Sequence, residues 1–259
     1  MKKLAMVALA TAIALIGGQA AAQQKSRLHV ILETGVIRVG TTGDFNPMTV
    51  RDVATNAFKG FEIDAANQLA SDLGVRAEFV VTDWKTMIAG VVGGKYDIVM
   101  SGTSLNVGRA KSVGYTIPYV EVGTIPMVLK SNAGKFKTWD DANKPGVTVA
   151  VILGTVFDEQ AKQHFPNATI RAIEAPATGY QEVLGGRAEV TITSNLEAST
   201  LMQKYDQFTT FGQGELRNRR PLAYIAPQND LVWLNFLDHW VTLKKTEGFF
   251  AALSEKWRL

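Results

Sequence analysis

The chain has 259 residues, of which 46% are hydrophobic and 20% are charged. These values are ordinary for a globular protein and leave room for one large domain or two smaller ones. Because the chain has no cysteine, disulfide frameworks, thiol catalysis and thiolate metal sites are excluded. The three histidines, His29, His164 and His239, lack metal-ligand spacing, so we expect neither a metal ion nor another cofactor.

The N-terminal segment has the pattern of a secretory signal peptide. Lys2 and Lys3 precede an apolar run from Leu4 to Gly18, and a triplet of alanines ending at Ala22 follows. We expect cleavage after Ala22; an uncleaved membrane anchor is the alternative, although the apolar run is short for one. Cleavage removes two lysines, so Lys plus Arg falls from 27 to 25 against 24 Asp plus Glu, and the net charge falls from +3 to +1. A chain this close to neutral is not a nucleic-acid-binding protein.

Beyond the signal segment the chain alternates strand-like and helix-like runs. GFEIDAANQLASDLG, at 60–74, has apolar residues at helical spacing, which predicts a helix that Gly74 ends. The strand-like runs are at 36–40, 76–82, 96–102, 124–130, 147–154, 169–175, 188–194 and 221–227. Strands that alternate with helices of this length indicate parallel sheets in an α/β fold.

The order strand, helix, strand, helix, strand occurs twice, at 36–102 and at 147–194. Two similar α/β lobes therefore explain the length better than one. We expect the segments Val120–Lys130 and Arg219–Pro227 to cross between the lobes, and the C-terminal helices to return to the first lobe. The predicted lobes are residues 23–122 with 226–259, and residues 123–225.

The segment TTGDFNP, at 41–47, follows the first strand and is too polar to continue it. In α/β sheets, ligands bind beyond the carboxyl ends of the strands. Thr42, Asp44 and Phe45 are therefore predicted to face a ligand. A plain surface turn is the alternative for this segment.

A second polar loop, SGTSLNVGR, follows the strand-like run YDIVM. Ser101, Gly102, Thr103 and Ser104 offer hydroxyls and backbone N–H groups near a helix start, and Arg109 follows a turn later. Hydroxyls, N–H groups and a guanidinium suit a carboxylate, which arginine can hold bidentately. This loop therefore predicts a site for an acidic ligand group.

The second lobe has a comparable strand end at LGTVFDE. Gly154 and Thr155 open a helix there, and we expect the N–H groups at its start to face an anion. Trp84, in the loop after EFVVTD, is a candidate aromatic wall; a tryptophan packed in the core is the alternative.

Three segments together resemble one protein family: RLHVILETGVIRVGTTGDFNP, FKGFEIDAANQLASDLG, and the run from DWKTM to GYTIPY. They are similar to periplasmic solute-binding proteins of the polar-amino-acid type, bacterial extracellular solute-binding protein family 3, over nearly the whole mature chain. The resemblance implies a type II fold of two lobes that close over a ligand by a hinge. It also implies a monomer in the periplasm, an ABC importer permease as partner, and a ligand carboxylate held by Arg109 and the SGTS hydroxyls.

Within that family, ILETGVIRV, TTGDFNP and TSNLEA are similar to one catalytic branch, the cyclohexadienyl dehydratases. These enzymes remove water and carbon dioxide from prephenate or arogenate. Glu197 falls where they carry the acid that protonates the leaving hydroxyl. The alternative for Glu197 is an exposed helix residue.

The sequence departs from the dehydratases at three positions expected to line the site. Phe45 replaces a Tyr, Val156 replaces an Asn, and Ser194 replaces an Asp that amino-acid receptors also present to the ligand ammonium group. These departures favour a receptor for a small carboxylate-bearing solute, either amino-acid-like or an organic acid, over an enzyme. The alternative is a cyclohexadienyl dehydratase, a carbon–oxygen lyase, with Glu197 as general acid.

Overall fold

The computed structural model describes residues 25–259, and the predicted signal peptide lies outside the described residues. Within residues 25–259 no helix is both long enough and apolar enough to cross a membrane. The helices are α1 (Arg27–Thr34), α2 (Phe61–Asp72), α3 (Met87–Val92), α4 (Val107–Ala110), α5 (Val156–His164), α6 (Gly179–Leu184), α7 (Asn195–Lys204), α8 (Leu231–Thr246) and α9 (Phe249–Trp257). The strands are β1 (Val36–Thr41), β2 (Asp44–Phe45), β3 (Thr49–Arg51), β4 (Phe58–Lys59), β5 (Arg76–Val81), β6 (Ile98–Val99), β7 (Gly114–Tyr115), β8 (Val120–Leu129), β9 (Thr148–Ile152), β10 (Thr169–Ile173), β11 (Val190–Ser194), β12 (Phe208–Thr210), β13 (Arg217–Leu222) and β14 (Ile225–Ala226).

Two mixed sheets form the centres of two lobes. The first has the strand order β5-β1-β6-β14-β7, and the second has the order β10-β9-β11-β8-β12 with β13 paired to β8. In the first sheet β1 is parallel to both β5 and β6, and in the second β9 is parallel to both β10 and β11. The strand that opens each repeat thus lies between the two that follow it, which confirms the repeat predicted from the sequence.

Helix α2 shows how an apolar stripe positions an element. Phe61, Ala65 and Leu69 are fully buried, so one face of the helix packs on the first sheet. The helix ends at Asp72, two residues before Gly74, whose φ of +68° suits glycine. The predicted helix is confirmed, with a slightly earlier end.

The chain passes between the sheets twice, and the two passages are bonded to each other. It leaves the first sheet after β7, and it returns between β13 and β14. The Tyr119 N–H donates to the Leu222 carbonyl (3.1 Å), and the Thr116 N–H donates to the Tyr224 carbonyl (3.0 Å). We define the crossing segments as residues 116–119 and 223–224. The first of these hydrogen bonds joins the first segment to the end of β13, and the second joins the two segments to each other.

The C-terminal helices lie against the first lobe. Trp233 and Leu237 of α8 and Phe250 of α9 belong to the same buried cluster as Ile37 and Val39 of β1. Trp233 is fully buried, and its indole N–H donates to the Asp97 carbonyl (3.0 Å). Burial of each such large side chain stabilises the fold by about 1.5–3 kcal/mol.

Three local predictions are wrong. The strand expected at 96–102 is limited to Ile98–Val99, because the chain turns away before Gly102, which has φ +65°. The strand expected at 221–227 is interrupted between Leu222 and Ile225, where the chain changes sheets. The segment Val120–Lys130, expected to cross between the lobes, lies within the second sheet, where Val120–Leu129 form β8. Asp44 and Phe45 of TTGDFNP form β2, which pairs with β3 in a small antiparallel sheet.

Candidate ligand-binding site

An enclosed cleft lies between the two lobes at the carboxyl ends of their parallel strands. The first lobe contributes Asp44, Phe45, Trp84, Gly102, Ser104 and Arg109. The second lobe contributes Val151, Ile152, Thr155, Val156, Phe157, Thr178, Gly179, Tyr180, Thr191, Ile192, Thr193, Glu197 and Leu201. The walls are mainly apolar and aromatic, with a few polar groups, as is usual for small-molecule sites.

One wall of the cleft combines two aromatic rings with a carboxylate. Phe45 and Trp84 meet edge to face, with their ring centroids 6.2 Å apart. The Trp84 indole N–H donates to both carboxylate oxygens of Asp44, at 3.0 Å each. Burial raises the pKa of Asp44, against the hydrogen bonds from Thr42 and Trp84, which lower it. Trp84 therefore lines the cleft and also orients Asp44.

The loops after β1 and β6 are held together beneath the cleft. The Thr42 N–H donates to the Ser101 hydroxyl (3.0 Å), and the two hydroxyls lie 2.8 Å apart. At Gly102, a Cβ atom would lie 2.7 Å from the Phe45 ring. Because such an approach excludes a side chain, glycine lets the Phe45 ring lie directly against the backbone of this loop.

Arg109 places a positive charge at one end of the cleft. The Asn106 side chain caps α4 by accepting the Arg109 N–H (3.1 Å), which fixes the backbone of this turn. The Arg109 guanidinium donates to the Gly154 carbonyl of the other lobe (2.8 Å). Within residues 25–259 it has no carboxylate partner at ion-pair distance. Burial lowers its pKa from the ordinary value, but a guanidinium stays charged at neutral pH.

The start of α5 differs from the prediction. Thr155 lines the cleft, but its hydroxyl accepts the Asp158 N–H (3.3 Å), and the Gly154 N–H donates to the Asp158 carboxylate (3.4 Å). Two N–H groups that were expected to face a ligand anion are therefore already bonded within the chain. The role left for Gly154 is its carbonyl, which holds Arg109.

Glu197 lies in the second wall, opposite Asp44. Ser194 caps α7 by accepting the Glu197 N–H (3.1 Å), and the Thr193 hydroxyl donates to the Glu197 carboxylate. The residue is 8% exposed, so the alternative of an exposed helix residue is wrong. Burial raises the pKa of Glu197 to about 8, and the negative charge of Asp44 adds to this effect.

Polar contacts between the lobes show that the cleft is closed in this structure. The Asn106 side-chain amide donates to Glu159 (3.3 Å), and Lys85 forms an ion pair with Glu174. With the bond from Arg109 to the second lobe, these contacts lie around the cleft opening. The exposed pair contributes little, since such pairs add about 0–1 kcal/mol.

Nine of the fourteen predicted site residues line the cleft, and five do not: Thr42, Ser101, Thr103, Gly154 and Ser194. Thr42 and Ser101 bond to each other, Thr103 is buried, and Ser194 is a helix cap. The contact of these five residues with a ligand stays a prediction, and the buried Thr103 hydroxyl has no hydrogen-bond partner within residues 25–259.

Ten lining residues were not predicted: Val151, Ile152, Phe157, Thr178, Gly179, Tyr180, Thr191, Ile192, Thr193 and Leu201. The segment 178–180 opens α6 after β10, so the strand-end rule that pointed to TTGDFNP applies to it equally. The others are apolar or small residues of buried strands and helices, and they carry no signal distinct from that of core residues.

Two lobes that enclose a cleft with a partly buried arginine define a solute-binding protein of the two-lobe type. The sequence model of the family described as bacterial extracellular solute-binding proteins, family 3, matches residues 37–259. The chain belongs to this family, as the sequence resemblance indicated.

Two curated relatives are each 29% identical to the chain. Cyclohexadienyl dehydratase of Pseudomonas aeruginosa aligns over 245 residues, 95% of this chain and 91% of that one. The L-cystine-binding protein TcyJ of Escherichia coli aligns over 249 residues, 95% of this chain and 92% of that one. The chain is thus equally similar in sequence to an enzyme and to a binding protein.

A solved structure of the ancestral amino acid-binding protein AncCDT-1, a precursor of cyclohexadienyl dehydratase, is also similar to the chain. It has a TM-score of 0.83 and 37% identity, and the match covers 90% of this chain and 99% of that one. The predicted two-lobe fold of the type II binding proteins is confirmed by this likeness.

Proposed function

We propose that this protein captures a small carboxylate-bearing solute of amino-acid type between its lobes, in the periplasm, for an ABC importer. The observation that carries the proposal is the Arg109 guanidinium, which is partly buried and lines the cleft without a carboxylate at ion-pair distance among residues 25–259. A partly buried, unpaired positive charge is unfavourable, and a ligand carboxylate would compensate it. One relative, from Haemophilus influenzae, is described as a probable amino-acid ABC transporter-binding protein, which supports the transport role.

The acidic side chains that line the cleft favour an amino acid over a plain organic acid. Asp44 and Glu197 both line it, one from each lobe, and neither is in an ion pair within residues 25–259. Although Ser194 lacks the carboxylate that the family presents to an ammonium group, these two side chains offer others. A ligand with both charges would pair its carboxylate with Arg109 and its ammonium group with the acidic pair.

The relatives agree with an amino-acid ligand. TcyJ binds L-cystine, and AncCDT-1 is an amino acid-binding protein. The apolar wall of the second lobe, which includes Val151, Ile152 and Leu201, would contact the rest of such a ligand. The proposed ligand class is therefore an amino acid whose carboxylate pairs with Arg109 and whose ammonium group pairs with Asp44 and Glu197 in a mainly apolar cleft.

A screen for thermal stabilisation tests the proposal. The panel consists of the twenty L-amino acids, L-cystine, L-ornithine, and the organic acids succinate and phenylpyruvate. A ligand bound only by the folded protein stabilises it by about 2.7 kcal/mol at a hundredfold excess over the dissociation constant. We expect an amino acid to raise the melting temperature. Stabilisation by organic acids alone, or by no member of the panel, would contradict the proposal.

A second function is favoured by one observation at Glu197. A carboxyl group with a pKa of about 8 in an enclosed cleft is protonated at neutral pH, as a general acid must be. In a dehydratase this proton would go to the leaving hydroxyl of prephenate as the C–O bond breaks. The electrons of the bond to the departing carbon dioxide would then complete the aromatic ring.

The assay for this second function is release of phenylpyruvate from prephenate at neutral pH. Val156 and Ser194 lack polar groups that the dehydratases have, so we expect no rapid release from the wild-type protein. Rapid release that Glu197→Gln lowers by about 10²- to 10⁴-fold would instead establish the enzyme. Glu159→Gln, at the cleft opening, is a control that keeps Glu197 intact.

A further inference from the structure

Glu62 is a fully buried carboxyl group that does not line the cleft. It is the second residue of α2 and has 0% exposure. One of its oxygens, Oε1, accepts the Gly102 N–H (2.7 Å) and also the Tyr119 hydroxyl. A buried carboxyl is costly, and hydrogen bonds to one oxygen offset only part of that cost. Its position therefore needs an explanation beyond core packing.

The neighbours of Glu62 lie in the loop that lines the cleft and in the two segments that connect the lobes. Gly102 lines the cleft, whereas Tyr119 lies in the first crossing segment and Tyr224 in the second. The rings of Tyr119 and Tyr224 stack with centroids 4.5 Å apart. One carboxyl group thus connects the ligand loop with the paired crossing segments.

Two buried polar atoms at this junction have no hydrogen-bond partner within residues 25–259: Oε2 of Glu62 and the hydroxyl of Tyr224. Each group influences the pKa of the other, so they are close neighbours. A small shift of the second crossing segment would let them bond. The junction therefore has hydrogen-bonding capacity that another arrangement of the crossing segments could use.

We propose that Glu62 is a positioning residue that couples the Gly102 loop to both crossing segments and so controls ligand affinity without touching the ligand. The proposal rests on the proposed function, because ligand binding in this cleft is what Glu62 would control. Ionised Glu62 holds the Gly102 N–H by a charge-assisted hydrogen bond, which is stronger than the neutral one. The loop is thus held most firmly when the carboxyl is ionised.

The titration of Glu62 makes this control measurable. Burial raises its pKa to about 7, while the hydrogen bonds from Tyr119 and Gly102 and the nearby hydroxyl of Tyr224 lower it. Burial raises the pKa of both tyrosines well above their ordinary value, so they stay neutral at pH 6–8. Glu197 titrates in an overlapping range on the other wall, and the pH-dependent exchange measurements therefore use the Glu197→Gln background.

The first test is amide hydrogen exchange at Gly102, which needs no ligand and so remains valid if the proposed function fails. In the Glu197→Gln background, Gly102 protection should rise about tenfold from pH 6 to pH 8, after correction for intrinsic exchange. Adding Glu62→Gln should abolish this rise while the amides of β1 and β5 keep their protection. An unchanged pH profile, or protection lost equally throughout the first lobe, would overturn the proposal.

The second test is affinity, measured by calorimetry with the tightest-binding amino acid of the panel. Glu62→Gln should weaken binding at least about fivefold, the lower end of usual couplings between sites. The control is Asp64→Asn on the same helix, where the carboxylate contacts Trp257 and Lys256 instead; its affinity should match the wild type. Equal affinities for both variants would overturn the proposal.

If Glu62→Gln does not fold, Tyr119→Phe replaces it, since this change removes one hydroxyl and leaves the carboxyl in place. It should preserve the protection of Gly102, because that hydrogen bond remains, and still weaken binding at least about fivefold. Unchanged binding would then overturn the coupling to the crossing segments.

Discussion

The two walls of the cleft each contain a buried glutamate, but the two residues have different surroundings. Glu62, behind the wall of the first lobe, has neighbours only within the protein: a loop N–H and two tyrosines. Glu197, in the wall of the second lobe, lines the cleft and faces Asp44 across it. Similar burial therefore accompanies two proposed roles, support of the ligand loop for Glu62 and contact with the ligand for Glu197.

The largest effect expected from this comparison is on stability as a function of pH. Both carboxyls have pKa values above their ordinary 4.5, about 7 for Glu62 and about 8 for Glu197, because of burial. A raised pKa means that the folded state holds the proton more tightly, so stability is full below pH 4.5 and is lost as the pH rises through 7 and 8. A shift from 4.5 to about 7 corresponds to about 3 kcal/mol.

Urea unfolding between pH 5 and pH 8.5 measures this effect. Glu62→Gln and Glu197→Gln should each flatten the pH dependence and be more stable than the wild type at pH 8.5. Glu182, whose pKa is about 2 because of its hydrogen bond to Arg187, loses its contribution only below pH 4.5 and lies outside this window. A wild-type slope retained in both variants would show that neither carboxyl is buried as described.

Proton release on ligand binding separates the two glutamates. An ammonium group near Glu197 would favour its ionised form, so binding at pH 7 should release up to about one proton. Calorimetry in two buffers of different ionisation enthalpy counts these protons. Glu197→Gln should remove the release, whereas Glu62→Gln should keep it. Proton release that persists in Glu197→Gln would mean that the ammonium group of the ligand does not bind near Glu197.

The last comparison concerns the unfolding free energy of variants at Gly102, the glycine between Glu62 and Phe45. Gly102→Ala combines a φ of +65° with a 2.7 Å approach to the Phe45 ring, whereas Gly74→Ala has a similar φ of +68° and open space. The backbone conformation costs about 1 kcal/mol in each variant, and the clash adds about 1–3 kcal/mol only at Gly102. Equal losses of unfolding free energy would mean that the ring moves aside freely.

The sequence predicted the elements with periodic patterns well. The apolar stripe of α2 and the repeated order of strands and helices both correspond to the structure. The strand expected at 96–102 was too long because the apolar residues Ile98–Met100 run directly into small residues, and apolarity alone does not distinguish a short buried strand from the turn that follows.

The site residues that follow strand ends were predicted from the sequence. The contacts that form only when the two lobes come together were not. Asp44 and Arg109 follow strands and stand out as polar residues, so the strand-end rule found them. The juxtaposition of Asp44 with Glu197 is a tertiary contact between lobes, and no spacing along the chain encodes it. The role of Glu62 also depends on residues distant in sequence, and in the helix pattern it is a polar residue between apolar ones.

The measurement that tests the central claim most directly is a comparison of the tightest-binding amino acid of the panel with its decarboxylated amine. Calorimetry is done on the wild type and on Arg109→Ala. In the wild type, loss of the carboxylate should weaken binding by about 2–4 kcal/mol, because the partly buried guanidinium is left unpaired. In Arg109→Ala the amino acid should bind as weakly as the amine. A wild-type protein that binds both compounds equally would contradict the assignment of Arg109 as the carboxylate anchor.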